Sequence, residues 1–218
     1  MFKFIYMYVI INLKKEVGLY NYQNKNYKTE SQVVDCQFNK IGASLEKGKE
    51  FFDNWIETDF DERQKKLILS EIENLKKSFS SEGQPSESDS CVPFSKPLLN
   101  TFYQAAKKAL TQGLGEEAMH LFFVLSHLLP NNYDVFVGLG MAYQLCKEHL
   151  KATLSYQHAI SIHPQAFLAY LYCAESYLEL KNIEKFKENI QEACQLIPLE
   201  KVVFQRHADY LIEKFKVI

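Results

Sequence analysis

Arginine is almost absent from this sequence, since only Arg63 and Arg206 occur among its 218 residues. The formal net charge is −2, and residues of both signs are interspersed along the chain. Proteins that bind nucleic acid usually carry a dense basic patch, and arginine is their commonest specific contact. The composition therefore argues against nucleic acid or an anionic membrane surface as the main partner.

The sequence also lacks the cysteine and histidine spacings that disulfide frameworks and metal sites need. Its five cysteines are odd in number and form no C-x-x-C pair, which fits reduced thiols in a cytoplasm. We interpret them as small apolar residues. None of the six histidines makes the i, i+4 pair that holds zinc on a helix. We predict no metal, no cofactor and no catalytic site.

Long hydrophobic runs are missing as well. The apolar run 2–13 is shorter than the roughly 20 residues that a membrane-spanning helix needs. A secretory signal peptide was the alternative, but no small-x-small cleavage site follows the run. We predict no membrane span and a cytoplasmic protein. We interpret residues 1–43 as a poorly ordered or mis-started N-terminal extension.

Two glycines, Gly138 and Gly140, stand one residue apart in a hydrophobic run, as at the start of a phosphate-binding loop. A dinucleotide fingerprint needs a third glycine three residues after the second, but that position is Tyr143. No strand-like alternation precedes the pair. We therefore predict that both glycines lie in a helix, with Gly140 at a close helix crossing.

The region 44–79 is predicted to form N-terminal helices that cap the next domain or dimerise. Apolar residues recur there in two helical stripes. Thr58 and Asp61 are spaced as a capping pair for the second helix. Residues 80–97 are rich in serine, proline and acidic residues, a composition typical of a flexible linker.

A period of 34 residues runs through the region 98–218, and seven registers follow it. Pro130, Pro164 and Pro198 form the first register. The others are Phe102, Phe136 and Tyr170; Ala106, Gly140 and Ala174; Ala109, Tyr143 and Tyr177; Ala118, Ala152 and Phe186; Phe122, Tyr156 and Ile190; and Leu125, Ala159 and Ala193. A 34-residue helix-turn-helix unit ending in proline is the tetratricopeptide repeat. The sequence predicts an all-α fold of three tandem tetratricopeptide repeats, closed by a C-terminal capping helix after Pro198.

Two segments of these repeats resemble the class II chaperones of type III secretion translocators, the SycD/LcrH group. The second repeat carries the family's xxGLGxxxQ segment and the third its AEx(L/Y)L segment. These are Phe136, Val137, Gly138, Leu139, Gly140 and Gln144, and then Ala174, Glu175, Tyr177 and Leu178. The resemblance implies a chaperone that binds hydrophobic translocator proteins in the cytoplasm. The chain departs from the family at Lys147 and Lys181, where interhelix glycines are usual, and at Phe186.

The first helix of each repeat lines the inner surface of such a stack, so its inward offsets predict a peptide-binding groove. Most of these residues are apolar, which suits an extended peptide. The predicted groove residues are Tyr103, Lys107, Leu110, Thr111, Val137, Met141, Gln144, Leu145, Leu168, Leu171, Glu175 and Leu178. The predicted partner is an extended segment of a secreted translocator.

The sequence leaves alternatives to this groove function open. The capping helix or a second copy of the chain could fill the groove. A homodimer through the N-terminal helices is expected in addition. The chain could instead be a scaffold or adaptor that assembles a secretion apparatus or another protein complex. A carboxylate clamp is disfavoured, because only Lys107 is suitably placed while Gly138 and Leu168 occupy positions where polar donors are needed.

Overall fold

The computed structural model describes residues 44, 47–48, 51–59, 61–63, 65–66, 68, 70 and 95–217. The predicted N-terminal extension and nearly all of the predicted linker lie outside the described residues. Contacts divide the chain into two compact units, Met1–Ala105 with Phe123–Leu128 and Ala106–Phe122 with Leu129–Ile218.

Seven helices follow one another between residues 95 and 217, and no strand occurs among the described residues. Each has 13 to 16 residues. They are α1 (Lys96–Thr111), α2 (Gly115–Leu128), α3 (Tyr133–Leu145), α4 (His149–Ile162), α5 (Phe167–Glu179), α6 (Ile183–Leu196) and α7 (Val202–Val217). The predicted all-α tetratricopeptide fold is confirmed, with two helices in each repeat and α7 after the third.

Helices that follow one another also pack together in the second unit, as α3 with α4, α4 with α5, and α5 with α6. Helix α3 also contacts α5, and α5 contacts α7. The first helices of the second and third repeats are therefore neighbours, as expected of a tetratricopeptide stack.

Each helix pair is joined by the same left-handed turn. Gly113, Lys147 and Lys181 have φ angles of 75°, 60° and 57° and are spaced by the 34-residue period. The Lys147 N–H donates to the Gln144 carbonyl, and the next N–H donates to the Tyr143 carbonyl. Gly113 and Lys181 have the same pair of bonds. This is the Schellman arrangement, which satisfies carbonyls at a helix end. Lysine can therefore replace glycine there, at an energetic cost in the backbone.

The three prolines of the first register each follow the second helix of a repeat by two residues, after Leu128, Ile162 and Leu196. Proline cannot continue the helical hydrogen bonds, so it separates one repeat from the next. Asn132 caps α3 by accepting from the Val135 N–H at 3.2 Å.

A serine caps α1 in the same way. The Leu98 N–H donates to Ser95 Oγ at 3.2 Å, so α1 begins at Lys96, two residues before the predicted boundary. Pro97 falls in the first turn, where a helix tolerates proline.

The two glycines of α3 lie under aromatic rings. A Cβ atom on Gly140 would stand 2.4 Å from Cε1 of Tyr156, and one on Gly138 would stand 2.4 Å from Cε1 of Phe122. Both rings are almost completely buried. The prediction that these glycines are helix residues at close contacts is confirmed, and Gly138 shares the role that we expected of Gly140 alone.

The N-terminal segment packs within its own unit. The Phe52 ring stacks on the Phe102 ring of α1, with ring centroids 4.3 Å apart and planes 10° apart. Trp55 and Ile56 are also buried. The apolar stripe of 51–59 is thus covered inside the chain.

The predicted helix start at Thr58 is wrong. Thr58 lies inside the helical segment 51–59, and its hydroxyl donates to the Asn54 carbonyl at 3.0 Å. Asp61 is not helical, and helical residues resume at position 62. Thr58 therefore belongs to the preceding helix and does not cap the next one.

Helix α7 closes the third repeat through aromatic contacts. Phe204 meets Phe167 edge to face with centroids 5.2 Å apart, and Phe215 lies 5.3 Å from Phe186. Leu211 is fully buried, which confirms the predicted capping helix. Val203 and Tyr210 are exposed, so not every apolar residue of α7 serves the cap.

Replacing Gly140 with alanine tests the close crossing of α3 and α4. Alanine ordinarily stabilises a helix interior relative to glycine by about 1 kcal/mol. Here the added methyl would overlap the buried Tyr156 ring, and overpacking costs about 1–3 kcal/mol. We expect Gly140→Ala to lower the free energy of unfolding in urea. The control Ser161→Ala, at an exposed position of α4, should have no such effect. An unchanged or raised midpoint for Gly140→Ala would contradict this packing.

Replacing Lys147 with glycine tests the left-handed turn. A lysine in the left-handed conformation costs about 1–2 kcal/mol, which the substitution by glycine would remove. Part of this stabilisation is offset, because glycine loses more conformational entropy on folding. We expect Lys147→Gly to stabilise the protein by about 0.5–1 kcal/mol in urea unfolding. Gly113→Lys should do the reverse. A Lys147→Gly variant less stable than wild type would show that the turn is not strained.

Candidate functional site

An open cavity of about 460 Å³ lies on the inner face of the second unit. Its walls come mainly from α1, α3 and α5, the first helices of the three repeats. The lining residues are Leu110, Thr111, Met141, Gln144, Leu145, His149, Tyr172, Glu175 and Glu179.

The repeat period explains why these helices converge on one cavity. Met141 and Glu175 are 34 residues apart, and Thr111, Leu145 and Glu179 form a second series with that step. Because each repeat places the same offset on the same side, residues far apart in sequence line one surface.

Six of the twelve predicted groove residues line the cavity: Leu110, Thr111, Met141, Gln144, Leu145 and Glu175. Leu145 is half exposed, so it is available to a ligand.

Leu171 and Leu178 do not belong to the cavity. They are 0% and 2% exposed and form part of the hydrophobic core with Val137, which is 8% exposed. Helix α5 packs against α3, α4, α6 and α7, so more of its surface is covered than a simple inward offset implies. We therefore leave these three side chains out of the binding surface.

The other expected groove residues lie apart from the lining. Lys107 is exposed, and Leu168 is half-buried, but neither lines the cavity. Tyr103 is half-buried and belongs to the first unit.

Three lining residues were missed by the sequence analysis: His149, Tyr172 and Glu179. Glu179 could have been found, because it continues the series of Thr111 and Leu145 by the same 34-residue step. Tyr172 shares its register with Gly138, whose lack of a side chain gave no signal. His149 begins α4, a second helix, and no inward offset of the first helices includes it.

A chain of hydrogen bonds forms the polar part of the wall. The Tyr156 hydroxyl donates to Gln144 Oε1 at 2.5 Å. Gln144 Nε2 then lies 3.4 Å from both the Tyr172 carbonyl oxygen and Glu175 Oε2. Burial, together with the nearby Glu175 carboxylate, raises the pKa of Tyr156 well above its ordinary value. The hydroxyl therefore keeps its proton and holds the Gln144 side chain in one orientation.

The cap helix is tied to the same wall. Lys214 of α7 pairs with Glu179, and His207 Nε2 lies 3.6 Å from Glu175 Oε1. The hydrogen bond from Lys214 lowers the pKa of Glu179. Because the pKa of Glu179 is lower in the folded than in the unfolded state, its ion pair stabilises the fold at pH values above the unfolded-state pKa. This stabilisation is lost as the pH falls through the folded-state pKa. The tether is therefore complete near neutral pH.

Residues 44–70 and 95–217, as far as they are described, contain no group of three histidine, cysteine or acidic side chains that could hold a metal ion. Burial raises the pKa of the Cys173 thiol to about 12 and also raises the pKa values of Cys146 and Cys194. These thiols are thus weak nucleophiles at neutral pH. None of the helices in these ranges is long and apolar enough to cross a bilayer.

Removing the Tyr156 hydroxyl tests the polar wall. Tyr156→Phe leaves Gln144 Oε1 without its donor, which costs about 1–2 kcal/mol for a partly buried group. We expect a lower thermal midpoint with unchanged helicity by circular dichroism. Tyr210→Phe is the matched control, because Tyr210 is exposed on α7. Equal midpoints for the two variants would show that this hydrogen bond contributes nothing.

Solved structures of type III secretion proteins share this fold. SycD of Yersinia enterocolitica, a type III secretion chaperone in complex with a peptide of the translocator YopD, aligns at 22% identity with a TM-score of 0.53, over 56% of this chain and 95% of that chain. PcrH, in complex with the chaperone binding region of PopB, aligns at 21% identity with a TM-score of 0.51, over 54% of this chain and 97% of that chain.

A chain of a type III secretion complex from Aeromonas hydrophila aligns at 23% identity with a TM-score of 0.54, over 56% of this chain and 83% of that chain. No protein-family model and no curated protein matches this sequence. At these identities the likeness is one of fold. The resemblance to the SycD/LcrH group that the two repeat segments indicated is confirmed at that level: the chain has the helical-repeat fold of the type III secretion translocator chaperones.

Proposed function

We propose that this protein is a cytoplasmic chaperone that holds an extended segment of a secreted, membrane-inserting translocator in its inner cavity. The observation that carries the proposal is the cavity itself, which is open, mostly apolar in its lining and built from the first helix of every repeat. An exposed apolar concavity of this kind fits a peptide from another protein.

The size of the cavity suits a short extended segment rather than a folded domain. An extended chain advances about 3.3–3.6 Å per residue. A cavity of about 460 Å³ therefore accepts a few side chains at a time, and Leu110, Met141 and Leu145 offer them apolar contacts. A segment with an apolar anchor is what such a surface binds best.

The comparisons support the same partner class. SycD and PcrH, which share the fold, were solved with a translocator peptide and with the chaperone binding region of PopB. A translocator carries hydrophobic segments that would aggregate or insert too early in the cytoplasm. Holding one segment in the groove keeps such a protein unassembled until export. The role is binding, with no reaction step.

A scaffold or adaptor role in a secretion apparatus is the second candidate, and exposed leucines favour it. Leu150 and Leu154 lie on α4, are 64% and 60% exposed and do not line the cavity. A scaffold would use such outer faces to join further subunits. A chaperone defect should leave the translocator aggregated or degraded, whereas a scaffold defect should leave it intact but not exported.

The N-terminal helices are proposed to cap the repeats rather than to bind cargo. The burial of Phe52 against Phe102 supports this role, because the apolar stripe already has a partner in the same chain. A homodimer through these helices would have to use other residues of the region 44–79.

The groove is tested by a double variant, Met141→Glu with Leu145→Glu. Both side chains line the cavity, Leu145 exposed and Met141 partly exposed, so the change places charge against an apolar ligand. Met141 also packs against the core, so the thermal midpoint of the variant is measured alongside binding. We expect the wild-type chain to co-purify with a translocator from cells that express both. The variant should lose that partner while its circular dichroism spectrum is unchanged.

The matched control is Leu154→Glu, an exposed leucine of α4 outside the cavity. It should retain the translocator if the groove binds it. Loss of the partner with Leu154→Glu but not with the double variant would move recognition to the outer face. Co-purification of apparatus subunits in place of a translocator would favour the scaffold.

A further inference from the structure

The groove has two chemically different ends, and this difference bears on which peptides it accepts. Leu110 comes from α1, and Met141 and Leu145 come from α3. Glu175 and Glu179 both come from α5. The first helices of the first two repeats, which also supply Thr111 and Gln144, contribute no carboxylate, and both acidic side chains of the lining come from the third repeat.

No lysine or arginine is among the described residues that line the cavity, whereas two carboxylates are. The side chains of Glu175 and Glu179 are 32% and 40% exposed. They are exposed enough to be reached by a ligand. Lys214 pairs with Glu179, and His207 Nε2 lies 3.6 Å from Glu175 Oε1, both from outside the lining, so a cation in the groove would share or displace these partners.

The two carboxylates are the groups of the wall that attract a cation most strongly, because the other polar groups are uncharged or already hydrogen-bonded. Gln144 is fixed by Tyr156 and already points its amide nitrogen at Glu175 and at the Tyr172 carbonyl. His149 Nδ1 is shielded from solvent and has no hydrogen-bond partner in the described structure. Because that nitrogen is closed to solvent, it does not compete with the two carboxylates for a ligand in the open cavity.

We propose that the groove selects extended peptides in which an apolar side chain is accompanied by a lysine or arginine. The apolar side chain contacts Leu110, Met141 and Leu145, and the cation lies between the carboxylates of Glu175 and Glu179. This inference rests on the proposed peptide-binding function and adds to it the charge of the partner. It follows that the bound segment runs with its cation toward the third repeat.

The test is selection of random twelve-residue peptides displayed on phage against the full chain. Three proteins are compared: wild type, the double variant Glu175→Gln with Glu179→Gln, and the control Glu188→Gln. Glu188 is an apt control because it also pairs with a lysine, Lys185, but lies on α6 outside the cavity. We expect wild type and the control to enrich apolar residues together with lysine or arginine, and the double variant to enrich apolar residues alone.

An enriched peptide is then synthesised with and without its cationic residue, and its Kd is measured by fluorescence anisotropy. Replacing that residue by alanine should weaken binding to wild type about fivefold, the effect of a partly exposed ion pair. The difference should shrink at high ionic strength, because salt screens exposed charges. The double variant should bind the two peptides equally.

Lys214→Gln provides an independent variant that keeps both carboxylates. Without its lysine, Glu179 is free to pair with the peptide, so the cationic peptide should bind more tightly than to wild type, by about threefold. A purely structural role of this ion pair predicts lower stability with no change in preference between the two peptides.

The outcomes separate this inference from the proposed function. Apolar enrichment by wild type without cations overturns the charge preference and leaves peptide binding intact. Cationic enrichment that persists in the double variant, or an unchanged preference in Lys214→Gln, also overturns it. No enrichment of any peptide by wild type overturns peptide binding and the charge preference together.

Discussion

The contact between Gly140 and the Tyr156 ring connects the core of the second repeat to the wall of the cavity. The ring needs the space that a missing Cβ leaves on α3, and that space sets how closely α3 and α4 approach. The same tyrosine ends in a hydroxyl that orients Gln144 in the cavity wall. One side chain thus fixes a helix crossing and a polar group of the site, so packing and recognition in this repeat cannot vary independently.

The fold could be predicted well from the sequence because the residues that pack between helices recur with the 34-residue period. Ala152, Ala159 and Ala174 were assigned to the registers and are completely buried. The groove was predicted less completely, because an inward offset ignores what else touches a helix. Leu178 shares its offset with Leu110 and Gln144, which line the cavity, but α5 is covered on more sides and Leu178 is core. Leu171 shares its offset with Val137, which is core as well. A periodic pattern predicts the side of a helix on which a residue lies. Whether that residue is buried depends also on the other helices that pack there, and the pattern does not specify them.

The turns show a different limit of sequence reasoning. Lys147 and Lys181 stand where the related family usually has glycine, yet both adopt the left-handed conformation with the same hydrogen bonds as Gly113. The backbone geometry is thus kept while its most favourable residue is not. The packing of neighbouring helices and the two turn hydrogen bonds together outweigh about 1–2 kcal/mol of local strain. The residue type at such a turn therefore indicates how strained the backbone is, but it does not determine the conformation of the turn.

Residues of one packing register keep the same chemistry in all three repeats, whereas residues of a register that lines the cavity do not. The packing register of Ala106, Gly140 and Ala174 stays small, because each residue must let helices approach. The groove series Thr111, Leu145 and Glu179 instead passes from polar to apolar to acidic. Nothing in the helix crossings requires that change, since these side chains reach the cavity rather than the core. The fold therefore constrains the packing positions tightly and leaves the chemistry of the cavity-lining positions free to differ between repeats.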